Sequence, residues 1–254
     1  MLTDTHTHLH FDLYAADVAE VVQRAREAGV ERILTLGTDW ESSFMSVELS
    51  QRFSPVFAAV GIHPTDVHKS KAEDLPAIKE LAATEKKVVA IGEIGLDLHW
   101  KEVPLQDQIP VFEKMLELAE ELDLPVVIHN RNAQAEMRQF FLERGITRLR
   151  GVMHSFSGSE EDAAFYLERG LNISFTGVIT FKNFKKIPVV KRVPPNRLLL
   201  ETDSPFLTPV PYRGQRNEPA YVRHVAEKLA EIHEMPFEEM CRITSQNARD
   251  LFKW

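Results

Sequence analysis

Apolar positions along the chain recur in two alternating rhythms. Short β-rich apolar runs stand at "MLTDT", "RILTLG" (32–37), "VFAAVG" (56–61), "VVAIGE" (88–93), "PVVIH" (125–129), "RGVMH" (150–154), "LNISF" (171–175) and "RLLLE" (197–201). Most are continuously apolar, as strands buried on both faces are. Between them, apolar residues fall at helical spacing. Val18, Val21, Val22 and Ala25 form one face, with Gly29 at a helix C-terminus. Ile109, Phe112, Met115, Leu116, Ala119 and Leu122 form a longer face, and Ala133, Met137, Phe140 and Phe141 another that ends near Gly145. Tyr221, Val222, Val225, Leu229 and Ile232 predict a helix after the eighth run, with a last helix around 237–252. The seventh helix, around 183–192, is the weakest pattern, because Pro188 interrupts it.

Strict alternation of strand and helix predicts a parallel sheet. Eight such units in this length predict a closed (β/α)8 TIM-type barrel with an extra C-terminal helix. An open doubly wound sheet is the competing arrangement, but no glycine-rich dinucleotide fingerprint and no phosphate-loop motif occurs. No linker or low-complexity segment divides residues 1–254, so one domain is expected.

Composition changes this picture little: 254 residues, 44% hydrophobic and 27% charged, are ordinary for a globular protein. The single cysteine, Cys241, excludes an internal disulfide and any multi-cysteine metal site. No basic, apolar leader precedes the first strand and no apolar run is long enough to cross a bilayer, so a cytoplasmic protein without membrane contact is expected. The net charge of −8 argues against a general nucleic-acid coat. Yet residues 169–200 carry seven basic side chains and no acidic one, a local attraction for an anionic substrate or simply a solvated face.

The chemistry is in the strand ends. The chain opens "TDTHTHLHFD"; in a first strand over Leu2–Thr7, side chains two apart share a direction, so His6 and His8 converge. A purification tag would be an unbroken histidine run. In a barrel the active site lies at the C-terminal strand ends. There stand His63 after strand three, Glu93 and Asp97 after strand four, and His129 and Arg131 after strand five. His154 follows strand six, Glu201 and Asp203 follow strand eight, and strand two offers Asp39. Six of the ten histidines (6, 8, 10, 63, 129 and 154) fall at or just past a strand end. One such histidine is commonly structural and one such carboxylate is commonly a helix cap. The repeated coincidence points to a composite metal site. Four histidines and two carboxylates exceed the three protein ligands of a single catalytic zinc and suit two divalent ions sharing a carboxylate. Mixed nitrogen and oxygen ligands allow Zn, Mg, Mn or Fe.

The ordered set "DTHTHLHF", "GIHP", "GEIGLD", "VVIHNRNA", "HSFSGS", "ISFTGVITFKN", "LETDSPFLTP" and "YRGQRNEPAYV" resembles the TatD-type metal-dependent deoxyribonucleases, barrel hydrolases of the amidohydrolase-like class, across the whole chain. The resemblance implies His6, His8, Glu93, His129, His154 and Asp203 as metal ligands, with Glu93 as the bridge. It also implies hydrolysis of DNA phosphodiesters from a 3′ end. Leu98 and His99 replace aromatic residues common in the family, Asn132 an aspartate and Ser155 a cysteine. Asp203 is expected to bind metal and take the proton of the attacking water. His63, Arg131, Arg213 and Arg216 are expected to contact substrate, His63 alternatively serving as structure beside the metals. The two loop arginines alternatively form salt bridges with Glu218 or Glu201. DNA ends are the expected substrate, with RNA or aminoacyl-tRNA also open. The rival activity is an ester or amide hydrolase of the same class, such as a D-aminoacyl-tRNA deacylase or a lactonase. A metal-retaining protein without catalysis is the third reading. The oligomeric state is open, with a monomer expected.

Overall fold

A computed structural model describes residues 1–254. Eight parallel strands neighbour one another in chain order: β1 (Leu2–Thr7), β2 (Val30–Leu36), β3 (Val56–Val60), β4 (Val88–Asp97), β5 (Val126–Arg131), β6 (Gly151–Met153), β7 (Asn172–Phe175) and β8 (Leu198–Leu200). A parallel bridge between Thr7 and Ser204, with Asp203 N donating to His6 O at 2.9 Å and His8 N to Ser204 O at 2.8 Å, joins the last strand's end to the first. The arrangement is the expected TIM-type barrel.

Helices α1 (Val18–Glu27), α2 (Trp40–Arg52), α3 (Asp74–Thr84), α4 (Leu105–Glu121), α5 (Gln134–Glu143), α6 (Glu160–Glu168), α7 (Ile187–Arg192) and α8 (Val222–Ile232) surround the sheet. Their buried faces are those the spacing predicts in α1, α5 and α8; in α4, Phe112, Met115 and Ala119 are buried as expected, Ile109 and Leu116 only partly, and Gln108 and Leu118 join the buried face. Two elements depart from the pattern. Helix α7 starts at Ile187 rather than near 183, and Pro188 sits in its first turn, where the missing N–H has no helical acceptor to lose. Helix α2 buries Ser42, Ser43, Ser46, Val47 and Ser50, a face that hydrophobic periodicity misses. Small serines let α2 lie so close to the sheet that a Cβ on Gly37 would fall 2.3 Å from Ser43 Oγ. Asp39 caps this helix, accepting from Ser42 N at 2.9 Å, and so belongs to α2 rather than to the histidine cluster.

The extra helix, α9 (Phe237–Phe252), closes the N-terminal end of the barrel. Its Ala248, Leu251 and Phe252 pack with Leu34, Leu36, Val89, Val127, Val152 and Leu199 of the interior. Its Asn247 donates to Pro195 O and Leu198 O, both at 2.8 Å, just where β8 begins. The opposite end is left open. No helix is long and apolar enough to cross a membrane.

Candidate metal centre

The open end gathers the side chains that the strand ends carry. β1 pairs with β2, with register shifts between Leu2 and Thr3 and between Asp4 and Thr7, and His6 near its end and His8 just past it are both buried. β4 is the longest strand and pairs with β5 to the end of both, at Asp97 and Arg131; their register shifts between Ile91 and Ile94, a bulge that re-aims Glu93 into the mouth. Gly95 then pairs with His129 at φ +145°; a Cβ there would stand 2.0 Å from His129 O, so only glycine allows the two strands this approach. Asp203 takes φ +55°, a left-handed conformation that aspartate tolerates better than most residues and that is characteristic of strained functional positions.

Glu93 lies at the centre and divides its two oxygens between two groups. Oε2 is 3.3 Å from His6 Nε2 and 3.5 Å from His8 Nε2. Oε1 is 2.8 Å from His154 Nε2, 2.9 Å from His129 Nδ1 and 3.6 Å from His63 Nε2. Asp203 Oδ1 completes the first group, 3.7 Å from His6 Nε2 and 3.6 Å from His8 Nε2. The His6 and His8 nitrogens themselves are only 3.2 Å apart. Unprotonated nitrogens and carboxylate oxygens converging at such distances repel unless a cation or shared protons lie among them. Three groups of donors here could hold a metal ion: His6, His8 and Asp203; His6, Glu93 and His154; and His63, Glu93 and His129. The donor set fits a divalent ion of the imidazole- and carboxylate-binding kind.

Surrounding groups orient the imidazoles. Leu36 O lies 3.0 Å from His8 Nδ1, fixing a proton there and leaving Nε2 free as a donor to metal. Asp97 Oδ2 lies 2.9 Å from His129 Nε2 and performs the same service for Nδ1. Glu201 accepts from Ser155 N and Ser174 Oγ, both at 2.6 Å. Its Oε1 stands 3.5 Å from His154 Nδ1, near enough for charge attraction although without hydrogen-bond geometry. His63 is different: its Nδ1 accepts from Thr65 N at 3.2 Å, so the neutral ring carries its proton on Nε2, facing the cluster.

Electrostatics follow from this crowding. Burial pushes the Glu93 carboxyl up, but the charges of His154, His6 and His63 and the His129 hydrogen bond together hold it well below the ordinary range. Burial likewise opposes a low value at Asp203, and the nearby His8 imidazole with the His6 and His154 charges overcomes it. Burial would lower His154 and His129; for His154 the Glu93 charge and Glu201 prevail, and for His129 Asp97 and Glu93 do, so both rings hold their protons more tightly than usual. His6 is lowered by burial and by the His154 charge. Burial and His129 push His63 down to about 3.

The six expected ligands therefore stand together, and His63 and Arg131 line the same cavity of about 590 Å³. The loop arginines do not reach that lining. Arg216 makes a two-pronged pair with Asp17, both contacts 2.7 Å, and lies over the Tyr14 ring at 4.8 Å. Arg213 lies over Phe181, 3.7 Å from the ring centroid. Glu218 pairs with Arg24 at 2.7 Å, rather than with either of them. The salt bridge expected as the alternative for these arginines exists for Arg216, with a different carboxylate. The sequence offered Asp97 only as a strand-end carboxylate and Glu201 only as that or as a salt-bridge partner for the loop arginines; their separation from His129 and His154 by tens of residues hides the pairing.

The chain resembles known proteins over nearly its whole length. A family model described as TatD related DNase matches residues 3–253. The uncharacterized metal-dependent hydrolase YabD of Bacillus subtilis is 47% identical over 254 residues, covering 100% of this chain and 99% of its own. A Citrobacter rodentium protein named 3′-5′ ssDNA/RNA exonuclease TatD is 34% identical over 256 residues, covering 98% and 97%. The crystal structure of YjjV, a TatD homologue from Escherichia coli K12, superposes with a TM-score of 0.93 at 32% identity, covering 100% of this chain and 98% of that one. Matched by that family model over residues 3–253 and by a relative 47% identical over the whole of this chain, with the same fold as YjjV, this chain belongs to the TatD-related family of metal-dependent hydrolases.

Proposed function

We propose that the protein is an exonuclease that hydrolyses phosphodiester bonds at the 3′ ends of single-stranded DNA, working with two divalent ions. The observation that carries this reading is the division of Glu93, whose Oε2 faces His6 and His8 while Oε1 faces His129 and His154. A carboxylate with a separate donor group on each oxygen is what two ions sharing a bridge require. The name of the Citrobacter rodentium relative supports the choice of nucleic acid.

In this reading His6, His8 and Asp203 would hold one ion and His129 and His154 the other, with Glu93 shared between them. Such a pair, when bound, activates a water and stabilises the leaving oxygen. Asp203, kept ionised by His8 and its neighbours, takes the proton of the attacking water. The water oxygen bonds to phosphorus, the ester oxygen departs, and that oxygen is protonated from solvent. His63 donates from Nε2 to a non-bridging phosphate oxygen, because Thr65 holds its other nitrogen as an acceptor. Arg131 at the rim attracts the phosphate charge.

A screen of end-labelled single-stranded DNA, RNA and aminoacyl-RNA with Mg, Mn and Zn tests this. Stepwise shortening of DNA from its 3′ end, abolished by chelator and restored by metal, is expected. Cleavage of the aminoacyl ester with DNA left intact would replace the reading with a deacylase.

A further inference from the structure

We propose that two aromatic side chains on opposite sides of the mouth, Trp100 and Phe206, each stack on one of the two unpaired bases flanking the scissile bond. The proposal rests on the nuclease reading above and adds what that reading leaves open, namely how the site recognises a strand end.

Eight large hydrophobic side chains of this protein are exposed, and of these only Trp100 (51% exposed) and Phe206 (48%) border the cavity that holds the metal donors. An exposed ring on a surface is common, but a pair at the rim of a polar, histidine-lined cavity has a use. Trp100 follows β4 and Phe206 follows β8, four strands apart in a ring of eight, which puts them across the mouth from each other. Both are tied to the site. Trp100 N donates to Asp97 Oδ1 at 3.0 Å, the carboxylate that orients His129, and Phe206 N donates to Asp203 O at 2.9 Å. Neighbouring rings steady each one: His99 meets Trp100 edge-on at 4.9 Å between centroids, and Phe11 meets Phe206 edge-on at 5.5 Å. Rings held this way lose little freedom when a ligand stacks on them.

The neighbourhood of Trp100 also has a charge suited to a nucleotide. The Arg131 guanidinium lies 5.7 Å from its ring centroid and lines the cavity, where it can pair with a phosphate while the ring takes the base. Every base has a π-face, so such platforms bind single strands without reading sequence. A paired, stacked base cannot present that face. The same two rings therefore select frayed or single-stranded ends over blunt duplex.

The test is a cycle between ring and base. Trp100→Ala, Phe206→Ala and the ring-retaining Trp100→Phe are compared with the unaltered protein, each loaded with Mn. The probes are a short single-stranded oligodeoxynucleotide and two versions lacking either the terminal or the penultimate base, with affinity read by anisotropy and kcat/KM by cleavage. Each alanine variant should lose roughly 5- to 150-fold in affinity for the complete strand, the range for one stacked base. The loss from Trp100→Ala should vanish when one of the two bases is missing, and that from Phe206→Ala when the other is missing. Trp100→Phe should recover most of the affinity. Losses that are equal with and without bases, or no loss at all, would overturn the proposal. If the unaltered protein cleaves none of the strands, the nuclease reading fails, and the affinity cycle still decides whether bases stack on the rings.

Discussion

Replacing Asp97 with asparagine should weaken metal binding without unfolding the protein. Asp97 is buried and accepts three hydrogen bonds: Oδ2 faces His129 Nε2 at 2.9 Å, and Oδ1 takes His99 N at 2.8 Å and Trp100 N at 3.0 Å. His129 can offer Nδ1 to a metal only while its proton sits on Nε2, and the carboxylate holds it there. In Asp97→Asn the amide oxygen keeps the two backbone N–H groups, so the NH2 group turns to His129. The ring nitrogen must then accept, and the proton moves to Nδ1, the atom 2.9 Å from Glu93 Oε1 where the metal would bind. The reverse amide orientation preserves the tautomer but sets NH2 against two N–H groups. Either way a contact is lost. Losing an orienting partner of a ligand histidine costs about 10- to 100-fold in metal affinity or activity, or roughly 1.4 to 2.7 kcal/mol. Titration calorimetry of the chelator-stripped variant with Mn or Zn measures this, with circular dichroism as the check on folding. A folded variant with unaltered metal affinity and turnover would refute the tautomer argument.

Three further outcomes follow from the site and its rim. Asp203→Asn keeps an oxygen donor but removes the base, so kcat should fall at least about 100-fold in a folded protein; near-normal turnover would remove Asp203 from proton transfer. Glu93 and Glu201 raise His154, and Asp97 and Glu93 raise His129, so metal must displace protons from both rings: binding should release protons near neutral pH and weaken as pH falls, and a pH-independent affinity in a dye-monitored titration would contradict this. Hydrogen bonding to Arg216, reinforced by Arg24, holds the Asp17 carboxyl down at about 2. A depressed carboxylate stabilises the fold above its unfolded pKa and loses that contribution as pH falls towards the folded value. Arg216→Ala should accordingly cost about 1 kcal/mol near neutral pH, less by pH 2, with KM unchanged; a raised KM at unchanged stability, measured by denaturation and steady-state kinetics, would place Arg216 at the substrate instead.

The order of elements was legible in the chain because it depends on local periodicity. A strand buried on both faces is usually apolar throughout, and a helix against it must be apolar on one face, so β2 to β8 and α1, α4, α5 and α8 declare themselves, whereas β1 buries Thr, Asp and His and is read from its "HTH" spacing instead. The "HTH" spacing declares itself for the same reason: two residues apart on a strand is one side of it. Helix α2 was hidden because its buried face is serine, chosen for closeness to Gly37 rather than for apolarity. What only the tertiary structure decided is which distant groups meet. Nothing in the sequence says that Asp97 rather than Asp39 turns to a histidine, that Arg216 spends its charge on Asp17, or that the two oxygens of Glu93 face different histidine pairs. Hydrophobic patterning specifies faces, which are properties of neighbouring residues. Partners across a barrel are set by register, bulge and closure, and these exist only once eight strands have been brought into a ring.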